Sequence, residues 1–164
     1  MRVSKHAGGM VRVFGYGSNM RTEQLRARCP SATDFAPAWL PGHRLAFVGH
    51  SGAWGGSVAT VEPRRNGMVG GVIASITCDD LLQLDVYEGA PIVYRRLWLL
   101  VRLGSPAGRR VNAWVYVHTG AEVGGPSYRY LAALVAGATE HGLPWEPIVE
   151  AAERCLRAEV VREE

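Results

Sequence analysis

Val11-Arg12-Val13-Phe14-Gly15-Tyr16-Gly17-Ser18-Asn19-Met20 joins a short apolar run to two closely spaced glycines, and a helical segment from Thr22 to Cys29 follows before Pro30 ends it. The expected order is strand, tight turn, helix, with Gly15 and Gly17 permitting backbone angles that other residues avoid. Such a turn aims several backbone N–H groups and a helix N-terminus at one point, which suits a carboxylate or phosphate. The same residues also read as a plain connection between two elements. A nucleotide is served less well. The third glycine of a dinucleotide fingerprint is missing, and no G-x-x-x-x-G-K-[ST] occurs in the chain.

Downstream, short strand-like runs are separated by Gly and Pro: Ala38 to Leu40, Arg44 to Val48, Ser57 to Val61 and Met68 to Ile76. Pro41-Gly42 and Arg65-Asn66-Gly67 read as hairpin turns between them. Trp54 stands among the glycines of Ser51 to Gly56. It can cover a ligand or fold back on the core, and the core reading is favoured.

The segment Cys78 to Gly89 reads as a helix, with Asp79 or Asp80 as N-cap and Gly89 past its end. Leu81, Leu84 and Glu88 fall on one stripe, so the glutamate continues an apolar, inward face. Burial there raises a carboxyl pKa, and an ionised Asp85 nearby pushes the same way. A base poised upward suits proton transfer near neutral pH. The competing reading is a solvated glutamate at a helix end.

Two more strands are expected, Tyr94 to Leu103 and Val111 to His118. In the second, Val111, Ala113, Val115 and Val117 alternate with Asn112, Trp114, Tyr116 and His118, giving one aliphatic and one aromatic face. A sheet with two useful faces suits a closed barrel with helices outside, and the strands are too closely spaced for a doubly wound sheet. Ser127 and Gly142 bracket another helix, which carries Tyr130 near a buried stripe of Leu131, Leu134, Val135 and Ala138. A last helix is expected from about Pro147 to Val160, with Arg162 to Glu164 frayed.

The chain has 164 residues, 48% of them hydrophobic, enough for one domain with a full core. The whole of 1–164 is read as that domain, with residues 1–9 a flexible leader. Cys29, Cys78 and Cys155 are scattered and odd in number, which points to reduced thiols in a cytoplasm. A net charge of +3 is mild, and the arginine pairs lack interleaved aromatics, so no nucleic-acid partner is expected. No apolar run reaches the length of a membrane span. The histidines lack ligand spacing, so no metal is expected, and no G-x-S-x-G elbow supports a serine nucleophile.

Taken together, these segments resemble the γ-glutamylcyclotransferase family from about Val13 to Pro147. Y-G-S-N after a strand is followed in the family's order by V-A-T-V-E-P at Val58 to Pro63, L-D-V-Y-E-G at Leu84 to Gly89, P-S-Y-R-Y at Pro126 to Tyr130, and G-A-T-E-H-G-L-P at Gly137 to Pro144. The resemblance implies an α+β fold, a small mixed β-barrel with flanking helices, often a homodimer. It implies that Val13, Phe14, Gly15, Tyr16, Gly17 and Ser18 bind the glutamyl end of a small-molecule γ-glutamyl substrate, that Glu88 is the acid/base, and that Tyr130 lines the site. Met20, Tyr128 and the Trp54 loop depart from the family pattern, and they are expected around the pocket mouth.

The implied reaction is intramolecular. The free α-amine of a γ-glutamyl amide attacks its own side-chain carbonyl, forms a five-membered lactam, and releases 5-oxoproline and an amine, so no cofactor is expected. Two other readings stay open: a non-catalytic module that binds a small carboxylate, and an amide hydrolase on the same fold.

Overall fold

The computed structural model describes residues 9–164; residues 1–8, most of the expected leader, lie outside them. Ten elements follow in order. They are β1 (Met10–Gly15), a 3-10 turn (Ser18–Met20), α1 (Thr22–Arg28), β2 (Thr33–Ser51), β3 (Gly56–Thr77), α2 (Cys78–Glu88), β4 (Tyr94–Leu103), β5 (Arg109–His118), α3 (Tyr128–Glu140) and α4 (Glu146–Glu163).

The strands close into a barrel in the order β1-β3-β2-β4-β5. Neighbours are antiparallel except where β1 meets β5 in parallel, at Val13↔Trp114 and Phe14↔Val115, so the sheet is mixed. Alternation along each strand divides the core in two. Phe14, Leu40, Phe47, Val115, Leu134 and Cys155 belong to a cluster that runs from the barrel out to α3 and α4. Val13, Leu25, Cys29, Ile76, Leu84 and Tyr116 form a second one, beneath α1 and α2. In β5 the aliphatic residues Val111, Ala113 and Val115 join the first cluster, whereas Tyr116 joins the second with Trp114 packed on it.

Four expected strands are really two long ones. β2 runs through Pro41-Gly42 and β3 through Arg65-Asn66-Gly67, so neither stretch is a hairpin turn. The two irregularities face each other: Pro41 pairs with Met68 and His43 with Pro63, leaving one residue of β2 opposite four of β3. Gly42 at φ 73° and Asn66 at φ 61° supply the left-handed conformations this bulge requires. The hairpin itself is Gly52 to Gly55, between the paired Ser51 and Gly56, and it carries Trp54.

The helix ends follow local chemistry. Ser127 caps α3 by accepting from the Tyr130 amide at 3.2 Å. For α2 the cap is Thr77, whose hydroxyl accepts from the Asp80 amide at 3.2 Å, rather than either aspartate. Asp80 instead accepts from the Ser31 amide at 2.8 Å, which ties the end of α1 to the start of α2. At its C-terminus α4 stays helical to Glu163, past the fraying expected from Arg162 onward. No described helix is long and apolar enough to cross a membrane.

Candidate active site

A cavity of about 430 Å³ opens where β1 gives way to the turn, and it lies in the size range of small-molecule sites. Phe14, Gly15, Tyr16, Gly17 and Ser18 line it on one side, Glu88 at the end of α2 on another, and Tyr130 from the first turn of α3 on a third. Val13 does not reach it. Strand alternation turns Val13 outward into the cluster under α1 and α2, while its neighbour Phe14 points inward.

The turn is built for close approach, with Gly17 at φ −109° and ψ −141°. Neither Gly15 nor Gly17 has a positive φ. A Cβ on Gly17 would sit 3.2 Å from the Tyr130 hydroxyl, so glycine lets that side chain lie against the backbone. Met20 is buried beneath the turn, where a Cβ on Gly137 of α3 would meet it at 2.8 Å. It therefore seats the turn on α3, away from the mouth where this departure was expected. Among the described residues, no carbonyl or side chain accepts from the amides of Gly17, Ser18 or Asn19, which leaves three donors in one bend. Such a bend can hold a carboxylate.

Glu88 faces Asn19, whose Nδ2 donates to its Oε1 at 2.8 Å, and the Arg28 guanidinium lies 3.7 Å away. Burial pushes its pKa up, against the opposing pull of Arg28 and of the Asn19 hydrogen bond. The push expected from Asp85 is absent. That side chain turns away to pair with Arg96 Nε at 2.8 Å and to accept from the Tyr116 hydroxyl at 2.6 Å.

A second layer fixes these groups, and sequence reasoning missed it. Asn19 Oδ1 accepts from Gln24 Nε2 at 3.1 Å and from Arg28 at 3.0 Å, while Gln24 Nε2 also donates to Ser18 Oγ at 2.7 Å. With its oxygen engaged by two donors, the Asn19 amide must present nitrogen to Glu88. The available signal was Gln24 and Arg28 one helical turn apart, directly after the glycine turn.

Phenols complete the wall. Tyr94 donates to the Ala59 carbonyl at 2.8 Å, and the Ala59 amide donates to the Tyr130 hydroxyl at 2.9 Å, so two tyrosines satisfy one residue's backbone. Tyr16 donates to the Tyr116 carbonyl. Burial raises the pKa of Tyr16, Tyr94 and Tyr130, which keeps all three as neutral phenols and leaves Glu88 as the carboxylate among them. Trp54 satisfies both of its readings: it packs on Tyr130 with ring centroids 5.0 Å apart, and it lines the cavity. Tyr128 is 87% exposed on the far side of α3 and takes no part in the site.

Known proteins share this fold and part of this sequence. Residues 13–132 match the sequence model of a family described as gamma-glutamyl cyclotransferase, AIG2-like. The human and mouse proteins named gamma-glutamylcyclotransferase are 32% and 31% identical over 139 and 138 residues, in each case covering 81% of this chain and 72% of the relative. A solved structure named gamma-glutamyl cyclotransferase superposes with a TM-score of 0.80 at 30% identity, over 87% of this chain and 86% of that one.

Proposed function

Because the chain belongs to the γ-glutamyl cyclotransferase family, we propose that it cleaves γ-glutamyl amides to 5-oxoproline and a free amine, with Glu88 as the general acid/base. The observation that carries this reading is the shielded Glu88 carboxylate, sharing one cavity with a bend of unpartnered amides. The α-carboxylate of the glutamyl unit lies on the amides of Gly17, Ser18 and Asn19. That contact holds the chain bent, so the α-nitrogen stands near its own side-chain carbonyl, which recovers part of the orientational cost of ring closure.

Proton traffic follows from Glu88. The α-amine arrives mainly as an ammonium, and the carboxylate takes its proton. The freed lone pair forms the bond to the side-chain carbonyl carbon. As the tetrahedral centre forms and collapses, the ring nitrogen gives up its second proton, Glu88 passes both protons to the leaving nitrogen as its bond to carbon breaks, and the amine departs as an ammonium beside a neutral lactam. Atoms and charge balance without an external nucleophile. The raised pKa of Glu88 favours both halves, since the group must take a proton and then give it back. Tyr130 lines the site. Its oxygen accepts from the Ala59 amide, which leaves its own proton to offer to the substrate.

Incubation with a panel of γ-glutamyl amino acids and γ-glutamyl amines tests the reading. The wild type is expected to release 5-oxoproline some 10²- to 10⁴-fold faster than Glu88→Gln, the usual worth of a positioned acid/base. Equal rates overturn it, and glutamate in place of 5-oxoproline favours a hydrolase instead. Two coarser proposals go with it. The cysteines, none of them in a disulfide, support a reducing, cytoplasmic setting. A homodimer rests on family resemblance, and a monomeric mass by light scattering removes it.

A further inference from the structure

Glu88 shares its helix with a second carboxylate less than one helical turn away. Asp85 and Glu88 stand three residues apart on α2, the spacing at which side chains are neighbours on a helix surface. Left unpaired, Asp85 would be a like charge beside the base. It is held instead by Arg96 and Tyr116, which pair with each other across β4 and β5. Arg96 meets both carboxylate oxygens: its Nε lies 2.8 Å from Oδ1, and its Nη2 donates to Oδ2 at 3.1 Å. The Tyr116 hydroxyl donates to Oδ1 at 2.6 Å. Behind the pair, the guanidinium lies 4.4 Å from the Trp114 ring centroid, a contact that keeps it in place.

Tyr116 also reaches the other half of the site, because its carbonyl accepts from the hydroxyl of Tyr16 in the glycine turn. One residue of β5 thus ties that turn to α2, just ahead of Glu88. Neither Asp85 nor Arg96 is among the described residues that line the cavity. We propose that Asp85 and Arg96, joined to the glycine turn through Tyr116, are positioning residues for Glu88: they pin the last turn of α2, and each cancels at the base the charge that the other would impose alone. This rests on Glu88 being the acid/base, as assigned above. The other groups around Glu88 are Arg28 of α1, at 3.7 Å, and a set of phenols and a thiol. Tyr16, Tyr94, Tyr116 and Tyr130, from the turn, β4, β5 and α3, and Cys29 after α1, are all pushed up by burial and stay neutral where a carboxylate titrates. His118, which lines the same cavity, is pushed down by burial and is common to every variant below.

Carbon NMR of the Glu88 δ-carboxyl, assigned by the signal lost in Glu88→Gln, reads the midpoint of the base directly, and 5-oxoproline release gives kcat and KM. Arg96→Met leaves Asp85 unbalanced and should move the midpoint up by about half to one pH unit, whereas Asp85→Asn leaves the guanidinium unbalanced and should move it down by about as much. The double variant should return close to wild type, and Arg96→Lys, which keeps the charge and loses the fork, should do the same. Above these midpoints, Tyr116→Phe should lower kcat about threefold to thirtyfold with KM changed less than about twofold, since the amides that hold the glutamyl end are left in place. A folded Arg96→Met or Asp85→Asn with the wild-type midpoint overturns the inference, and so does Tyr116→Phe with the wild-type kcat. Should Arg96→Met fail to fold, Asp85→Asn decides the matter by its opposite sign. A wild type that makes no 5-oxoproline overturns the cyclotransferase reading, whereas the midpoints judge the charge pair by themselves.

Discussion

Replacing Tyr130 with Phe removes one oxygen and leaves the ring contacts with Trp54 and Phe47 in place. What is lost is the acceptor for the Ala59 amide, at 2.9 Å in a buried position. A buried N–H left without a partner costs about 1–3 kcal/mol. For a domain of this size each kcal/mol moves the melting midpoint by about 2–4 °C, so Tyr130→Phe should melt about 2–12 °C below wild type. The same hydroxyl offers the substrate a single hydrogen bond and is not the base. Its loss should therefore lower kcat/KM by much less than Glu88→Gln does. Circular-dichroism melts at neutral pH and 5-oxoproline release at a temperature where both proteins are folded read out the two effects. A variant that melts within 1 °C of wild type and yet loses as much activity as Glu88→Gln would refute this reasoning, because the hydroxyl would then be a chemical group and not a backbone partner.

Glu88→Gln should be more thermostable than wild type at neutral pH. The folded-state pKa is raised, so the native protein binds the proton more tightly than the unfolded chain and loses stability as pH climbs from the ordinary carboxylate value through the folded one. The difference in melting temperature should shrink below that window, and a difference constant with pH contradicts the assignment. Gly137→Ala drives a methyl group to 2.8 Å from Met20 Cβ, so a destabilisation of about 1–3 kcal/mol and a raised KM are expected together, by melting and steady-state kinetics. In the native state a thiol reagent should label Cys78 alone, since Cys29 and Cys155 are buried and burial, with Asp80 beside it, pushes Cys29 up to about 12; rapid labelling of three thiols counts against this packing.

The parts of this site that rest on local spacing were legible in the sequence. Leu81, Leu84 and Glu88 share a stripe because a helix repeats every 3.6 residues, and Ser127 and Gly89 announce helix ends through their own side-chain and backbone chemistry. What escaped depends on partners distant in the chain. Pro41-Gly42 and Arg65-Asn66-Gly67 carry turn residues because a bulge demands the same left-handed backbone as a hairpin, and only the pairing across the ribbon tells the two apart. Asp80 looked like a cap, but Ser31 claims its carboxylate. The role of Asn19 depends on Gln24, Arg28 and Glu88 meeting in space, and no periodicity encodes that.

The bulge has a further consequence. Barrel closure rests on the half of the β2–β3 ribbon that pairs Ala36 to Pro41 with Met68 to Ile73, whereas Trp54 rides on the half beyond the irregularity. A change in length or composition at the tip is thus insulated from the strand register that holds the turn and Glu88. Selection can rework the cavity wall there, one loop residue at a time, while the register that holds the turn and Glu88 passes unaltered from ancestor to descendant.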